Sequence, residues 1–306
     1  MKKFLCFIMS VGLILSLVGC GKSGKTNIKV PAKSIDGKDS SISLDIMATN
    51  KFLYNVIKDI SGNRHNVQFM FKNDIDVKQF DYTSDSINNV SKYNIFMYLG
   101  ADFEPWASDF IGKLDKNSIA TVDMSRGTKI LNLDDKVQYG NITVEKNSYY
   151  WTDLNNYKTM LVNIKNSLEE KDPKSRDLYE KNFAAYIKKV NDCEKEFKGI
   201  NDKLKGYTFV TNSSNFDYFF NYAGLDSVKV SEDELSKPDT SKELNDKLKD
   251  KEKICYIYSD DGSVQSNNAV IQKYKMKTLK FVTYDENSDY ICIIKDNIKS
   301  MKELIK

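Results

Sequence analysis

The run DPKSRDLYEKNFAAYIKKVNDCEKEFKGINDKL, residues 172–204, carries its apolar side chains at Tyr179, Phe183, Tyr186, Val190, Cys193, Phe197, Ile200 and Leu204. Steps of four and three alternate along it, which lays one apolar stripe down a single long helix. Asp172 is placed to cap the free N–H groups at its start, and Pro173 suits the first turn because its missing N–H has no partner there anyway. Gly199 and Gly206 bracket the far end. At 1.5 Å per residue such a helix spans roughly 48 Å, about the width of two small domains. With mixed strand and helix patterns on either side, it reads as a rigid rod joining two lobes. A coiled-coil arm is the alternative, but only this segment carries the pattern.

Both flanks repeat one rhythm. Before the rod, strands are expected at residues 42–48, 67–71, 93–99 and 118–122. Between them come a helix opened by Asn50 and stopped at Gly62, with Phe52, Leu53, Val56, Ile57 and Ile60 on one face, then helices at 85–91 and 105–114. Residues 134–148 lack periodicity and read as a loop, followed by a helix at 155–169. After the rod, strands at 207–211, 228–230, 254–258 and 279–282 alternate with helices at 216–223, 241–248, 269–274 and 298–305. Such alternation predicts an α/β fold: two lobes with mostly parallel sheets flanked by helices, joined by one long rigid helix, with a cleft between the lobes. IMATNKFLYNVIKDISG in the first half and FVTNSSNFDYFFNYAG in the second echo each other, as two lobes of similar build would. Ligands in open parallel sheets bind beyond the carboxyl ends of strands, so the loops after Ala48, Leu99, Thr211 and Tyr258 are expected to face a shared cleft.

Composition excludes some classes. The 306 residues are 41% hydrophobic and 29% charged, enough for two cored domains and unlike a disordered or polytopic chain. Lys2, Lys3 and the apolar run 4–17 ending in Leu17-Val18-Gly19-Cys20 resemble a bacterial lipoprotein signal, too short for a mature transmembrane helix. That resemblance implies cleavage before Cys20, lipidation of Cys20, and a place on the outer face of the cytoplasmic membrane. Residues 20–40, rich in Lys, Gly and Ser, read as a flexible tether. The expected division is a signal peptide at 1–19, the tether at 20–40, an amino-terminal lobe at 41–171, the linking helix at 172–205 and a carboxy-terminal lobe at 206–306. Removing Lys2 and Lys3 leaves 44 basic against 43 acidic residues, and no basic face stands out, so nucleic acid is not expected as a partner. Cys193 sits on the rod's stripe, while Cys255 and Cys292 fall in the strand-like runs KICYIYS and YICIIK. They read as buried unpaired thiols. A Cys255–Cys292 disulfide requires the two strands to be neighbours, and no framework of spacings supports one.

Residues 76–87, DVKQFDYTSDSI, resemble the DPHTYEPTPSDI stretch of the zinc and manganese solute-binding lipoproteins of bacterial ABC importers. GADFEPW at 100–106 is similar to that family's glycine turn and Glu-Pro-Trp, and YYWTDLNNYKTMLVNI at 149–164 to its HVWLDPENAKLMAENI. The Asp172-Pro173 break and the Tyr179, Asn182, Tyr186 spacing follow in the family's order. The resemblance covers residue 42 to the end. It implies two α/β lobes about a linking helix, no enzymatic activity, zinc or manganese as cargo, an ABC permease and ATPase as partners, and a monomer. Some members of the family are described as adhesins, which gives an adhesion or partner-binding lipoprotein as the alternative.

In that family three histidines and a carboxylate hold the ion, since neutral imidazole suits zinc and manganese and an acid offsets their charge. Matched by position, the resemblance puts Lys78, Tyr149, Ser213 and Asp260 at those places, with Gln79, Tyr150, Asn212, Ser214 and Asp261 as cleft neighbours. No histidine survives at any of them. The chain's one histidine, His65, falls where the family has a surface turn and is expected to be exposed. An ammonium at Lys78 has no lone pair and repels a cation. Lys78 is expected either to fill the ion's place in a salt bridge with Asp260 or to point into solvent. The resulting cleft suits a small polar organic molecule or an anion better than a bare metal, although Asp260 and Asp261 with hydroxyls would favour manganese or calcium over zinc. Ser213 and Ser214 are nucleophile candidates, but a histidine-dependent triad would need His65, so no enzyme is expected.

Overall fold

The computed structural model describes residues 42–236 and 242–306. The signal, the Cys20 lipidation site and the tether lie outside the described residues. In the first lobe, β1 (Asp45–Asn50), α1 (Lys51–Ser61), β2 (Asn66–Phe71), α2 (Asp74–Lys78), α3 (Ser84–Val90), β3 (Ile95–Tyr98), α4 (Ala107–Lys113) and β4 (Ala120–Asp123) follow in order. The four strands form a parallel sheet in the order β2-β1-β3-β4, with Ile46 opposite both Val67 and Ile95. Ile46 to Asn50 are buried on both faces of β1, the mark of a central parallel strand. Asn50 then caps α1 by accepting from the Leu53 N–H at 2.9 Å, and Gly62, at φ 61°, ends it. Phe52, Leu53, Val56, Ile57 and Ile60 are buried as the pattern predicts.

Residues 134–148 depart from the expected loop. They contribute to β5 (Asn132–Tyr139) and β6 (Ile142–Lys146), an antiparallel hairpin turning at Gly140, φ 57°. Only Val144 is buried in either strand, so a ribbon exposed on both sides writes no apolar alternation into the sequence.

The long helix is slightly shorter than expected. α5 (Leu154–Lys171) ends before Asp172, a single tight turn covers Pro173–Ser175, and α6 runs over Arg176–Leu204, about 44 Å. Tyr179, Tyr186, Val190, Cys193, Phe197 and Leu204 of the predicted stripe are buried, with Phe183 and Ile200 packed beside them, and Gly199 lies inside the helix instead of at its end. Asp172 caps nothing with its side chain. Its carboxylate accepts from Arg64 Nε at 3.0 Å and from the Tyr179 hydroxyl at 2.9 Å.

The second lobe contains β7 (Thr208–Thr211), α7 (Asp217–Ala223), β8 (Asp226–Lys229), α8 (Glu232–Ser236), α9 (Lys242–Leu248), β9 (Ile254–Tyr258), α10 (Asp261–Ser266), α11 (Asn268–Lys273), β10 (Lys277–Lys280) and α12 (Tyr290–Leu304). Its parallel sheet runs β10-β9-β7-β8, the same strand order as the first lobe. The strand-like run YICIIK is the first part of α12. Asp289 caps that helix by accepting from the Ile291 N–H, and Tyr290, Ile291, Ile293, Ile294, Ile298, Met301 and Leu304 fill one buried face at helical spacing. Cys292 is therefore exposed on a helix, against the expectation of a buried strand thiol, while Cys193 and Cys255 are buried, and all three are free.

One core runs through both lobes and α6. Trp151 is at its centre: its indole N–H donates to the Thr283 carbonyl at 2.9 Å, its ring lies 5.3 Å from that of Phe52, and its own carbonyl accepts from Tyr290 at 3.1 Å. Each fully buried aromatic of this kind contributes about 1.5–3 kcal/mol by burial alone, so the lobes are held by a shared core as well as by the rod. No helix among the described residues is long and apolar enough to cross a membrane.

Candidate ligand cleft

Loops beyond the carboxyl ends of β3, β7 and β9 meet at a cavity of about 460 Å³. The β3 loop is bent by three consecutive left-handed residues, Gly100 (φ 75°), Ala101 (φ 49°) and Asp102 (φ 61°). A side chain at position 100 would place its Cβ 2.0 Å from Asp123 Oδ1, so the turn needs glycine. Glu104 fastens it from inside. Its buried carboxylate accepts from Thr49 Oγ1 at 2.5 Å and from the Leu99 and Gly100 N–H groups at 2.9 Å each. Burial pushes Glu104 up to about 7, with these three donors pulling the other way.

Lys78 closes α2, whose end is fixed by the Trp106 indole donating to the Val77 carbonyl at 2.7 Å. The Lys78 ammonium donates to the Tyr149 hydroxyl at 3.0 Å and lies 5.4 Å from the centre of the Phe103 ring. Neither expected arrangement of Lys78 holds. It turns toward the aromatic wall, and Asp260 is occupied elsewhere: its carboxylate caps α10, accepting from the Ser263 N–H and the Ser263 hydroxyl at 3.0 Å each, and makes no ion pair with Lys78. Tyr149 is buried and set by its N–H donating to Asn147 Oδ1. Asn147 also donates to the Ser214 carbonyl at 2.6 Å, which ties this wall to the second lobe.

On the opposite wall, Ser213 is folded into a local turn, its hydroxyl accepting from the Asn215 N–H at 3.2 Å. Asn212 donates its amide to Glu232. Ser214 accepts from Lys229, which also pairs with Asp217 and with Asp134 of the hairpin. Burial raises the Asp217 carboxyl, with Lys229 opposing.

Lys78, Tyr149, Ser213 and Asp260 therefore line one cavity, together with Asn212 and Ser214. Three expected neighbours do not. Tyr150 is fully buried and donates to the Leu99 carbonyl at 2.9 Å. Gln79 lines an adjoining groove with Phe80 and Trp106. Asp261 faces outward in an ion pair with Lys280 at 2.9 Å. The sequence reading missed Asp102, Lys146 and Glu232, which also line the cavity. Glu232 follows the carboxyl end of β8, so the rule that turned the loop after Thr211 toward the cleft would have found it.

His65 is buried, contrary to expectation. Its Nδ1 accepts from the Leu44 N–H at 3.2 Å, so the proton of the neutral ring is on Nε2, facing the Tyr179 hydroxyl at 2.6 Å. Tyr179 in turn donates to Asp172. Burial lowers the His65 imidazole, which keeps it neutral as these bonds require. His65 does not line the cavity. Among the described residues, no three His, Cys, Asp or Glu side chains are grouped as metal ligands. The polar groups at the cavity are ammoniums, phenols, hydroxyls, amides and separated carboxylates, which do not fit zinc.

A profile of the family described as ZnuA, zinc-uptake complex component A periplasmic, matches residues 46–304. The chain is 23% identical over 321 residues to the zinc-binding lipoprotein AdcA of Streptococcus pneumoniae (strain ATCC BAA-255 / R6), covering 99% of this chain and 61% of that protein. It thus spans less than two thirds of that relative's length. It is 26% identical over 260 residues to the manganese ABC transporter substrate-binding lipoprotein PsaA of Streptococcus pneumoniae, covering 81% of this chain and 79% of that one. The crystal structure of the metal-dependent lipoprotein YcdH from Bacillus subtilis superimposes with a TM-score of 0.69 at 19% identity, over 86% of this chain and 99% of that one. At that identity the likeness shows the fold.

Proposed function

Because the chain belongs to the zinc-uptake complex component A family, we propose that it is the solute-binding component of a metal-type ABC importer whose conventional zinc or manganese site is lost or altered. The relatives' names, lipoproteins of metal ABC transporters, support a lipid anchor at Cys20, an extracytoplasmic location, and an ABC permease with its ATPase as partners. The protein works as a monomer, with an amino-terminal lobe at 41–171, the linking helix at 172–205 and a carboxy-terminal lobe at 206–306. The family is one of substrate-binding proteins, not enzymes.

The observation that carries the altered-site reading is the Lys78 ammonium donating to Tyr149 at 3.0 Å, with both residues at positions matched to family histidines. A unit charge repels another at 4 Å by about 4 kcal/mol at an effective dielectric of 20, so a divalent ion beside Lys78 meets about 8 kcal/mol. Micromolar binding is worth about 8 kcal/mol, and the repulsion alone cancels it. Equilibrium dialysis against zinc and against manganese tests the reading. Retention of one ion per chain at micromolar free metal would overturn it.

A further inference from the structure

His65 is the chain's one histidine and lies away from the cleft, yet its side chain is fully buried among hydrogen-bonding groups. With Arg64 it clamps together two places far apart in sequence. On one side is the chain entering β1: His65 Nδ1 accepts from the Leu44 N–H at 3.2 Å, and Arg64 Nη2 donates to the Ile42 carbonyl at 3.0 Å. On the other is the start of the linking helix. His65 Nε2 lies 2.6 Å from the Tyr179 hydroxyl, and Arg64 Nε is shared between Asp172 Oδ2 at 3.0 Å and the Ser175 hydroxyl at 2.9 Å.

Leu44, His65, Tyr179 and Asp172 form a relay with one direction. The Leu44 N–H donates to Nδ1, Nε2–H donates to the Tyr179 oxygen, and the Tyr179 hydroxyl donates to Asp172. Only the Nε2–H form of the neutral ring satisfies every member. A second proton has one place to go, the Nδ1 lone pair that the Leu44 N–H already uses. Two N–H groups then face each other at that 3.2 Å contact, and the bond is lost. The other side of the ring keeps its bond, because Nε2–H still donates to Tyr179. Burial is the largest influence on the ring and disfavours the cation; the Arg64 guanidinium and Lys58 of α1 act with it, whereas Asp172, whose Oδ2 is 4.0 Å from Nε2, and the Arg64 backbone act against it. The balance holds the ring neutral to below its ordinary value of 6.5.

We propose that His65 is a proton-operated latch: uptake of one proton from solvent at Nδ1 frees Leu44, and with it the entry of the chain into β1, while the ring stays attached to Tyr179 at the start of α6. The chain upstream of Leu44 leads to the proposed lipid anchor at Cys20, so the latch sets how firmly the fold holds this end in acid. The inference does not depend on what the cleft binds.

Backbone amide exchange of the ¹⁵N-labelled full chain, followed by NMR from about pH 7.5 to about pH 5 and referred to the unstructured rate at each pH, tests the latch. An opening that takes up one proton becomes easier by up to about tenfold per pH unit below 6.5, the ordinary value of a freed imidazole, until the latched ring itself titrates. Leu44 protection is therefore expected to fall by about tenfold across the first unit or so below 6.5, while the Leu53 N–H, bonded to Asn50 at 2.9 Å in the cap of α1, keeps its protection. His65→Asn offers a carbonyl oxygen in place of Nδ1 that takes up no proton in this range, and its Leu44 protection is expected to be independent of pH. The lone histidine also gives a single imidazole signal in the parent, so its form is read without any variant: neutral with the proton on Nε2 at about pH 7.5, and a titration midpoint below 6.5. Constant Leu44 protection in the parent, the same loss in His65→Asn, or a proton on Nδ1 at neutral pH would overturn the proposal.

Discussion

Glu104→Gln removes a titrating group from beneath the cleft while keeping its shape. In the folded protein the carboxyl holds its proton up to about 7, against an ordinary value of 4.5. Between those values the native state carries a proton that the unfolded chain has lost, so the stability of the parent protein falls as pH rises through this window. The gap between 4.5 and about 7 corresponds to about 3 kcal/mol, fully present as a cost above the folded value and absent below the unfolded one. Every other group titrates alike in parent and variant and cancels in the difference. Urea unfolding followed by circular dichroism, at steps from about pH 8 down to about pH 4.5, is therefore expected to show the parent gaining about 3 kcal/mol on the variant. A difference constant to within about 0.5 kcal/mol would refute the reasoning. It would mean that the donors from Thr49, Leu99 and Gly100 outweigh burial and keep Glu104 ionised throughout.

Three further outcomes follow from the same structure. Replacing Lys78, Tyr149 and Ser213 together by histidine, beside Asp260, is expected to create zinc binding at micromolar or lower dissociation constant, measured by competition with a chromogenic chelator; no gain would show that these positions do not converge on one ion. Tyr179→Phe takes away the hydroxyl shared by His65 and Asp172, and about 1–3 kcal/mol should be lost in urea unfolding, while an unchanged midpoint would remove the network from the account of how α6 is anchored. Gly100→Ala forces a Cβ against Asp123 in a left-handed turn and is expected to lower stability by about 1–3 kcal/mol; a neutral result would contradict the turn geometry.

The sequence made some elements plain and hid others for physical reasons. α1 and α6 were readable because each buries one face, so helical spacing is imprinted on their apolar residues. The first part of α12 was misread because Tyr290, Ile291, Ile293 and Ile294 crowd together, and a short apolar run looks the same in a buried strand and a buried helix. The hairpin of β5 and β6 escaped because it buries almost nothing. At the cleft, Lys78, Tyr149, Ser213 and Asp260 were found through ordered motifs, and the fold brings them to one cavity. Which way a side chain turns was not legible: Tyr150, next to Tyr149, goes to the core, and Asp261, next to Asp260, goes to Lys280. His65 was misplaced because burial of a lone histidine depends on distant partners, Leu44, Tyr179 and Asp172, that no local pattern reveals.

Native mass spectrometry of the full chain, with zinc or manganese supplied at micromolar concentration, puts the role of Lys78 to the test. An ammonium seated at Tyr149 predicts a spectrum of the metal-free mass, with any adducts scaling with added metal in the manner of non-specific attachment. A single added ion per chain, retained after buffer exchange, would contradict it.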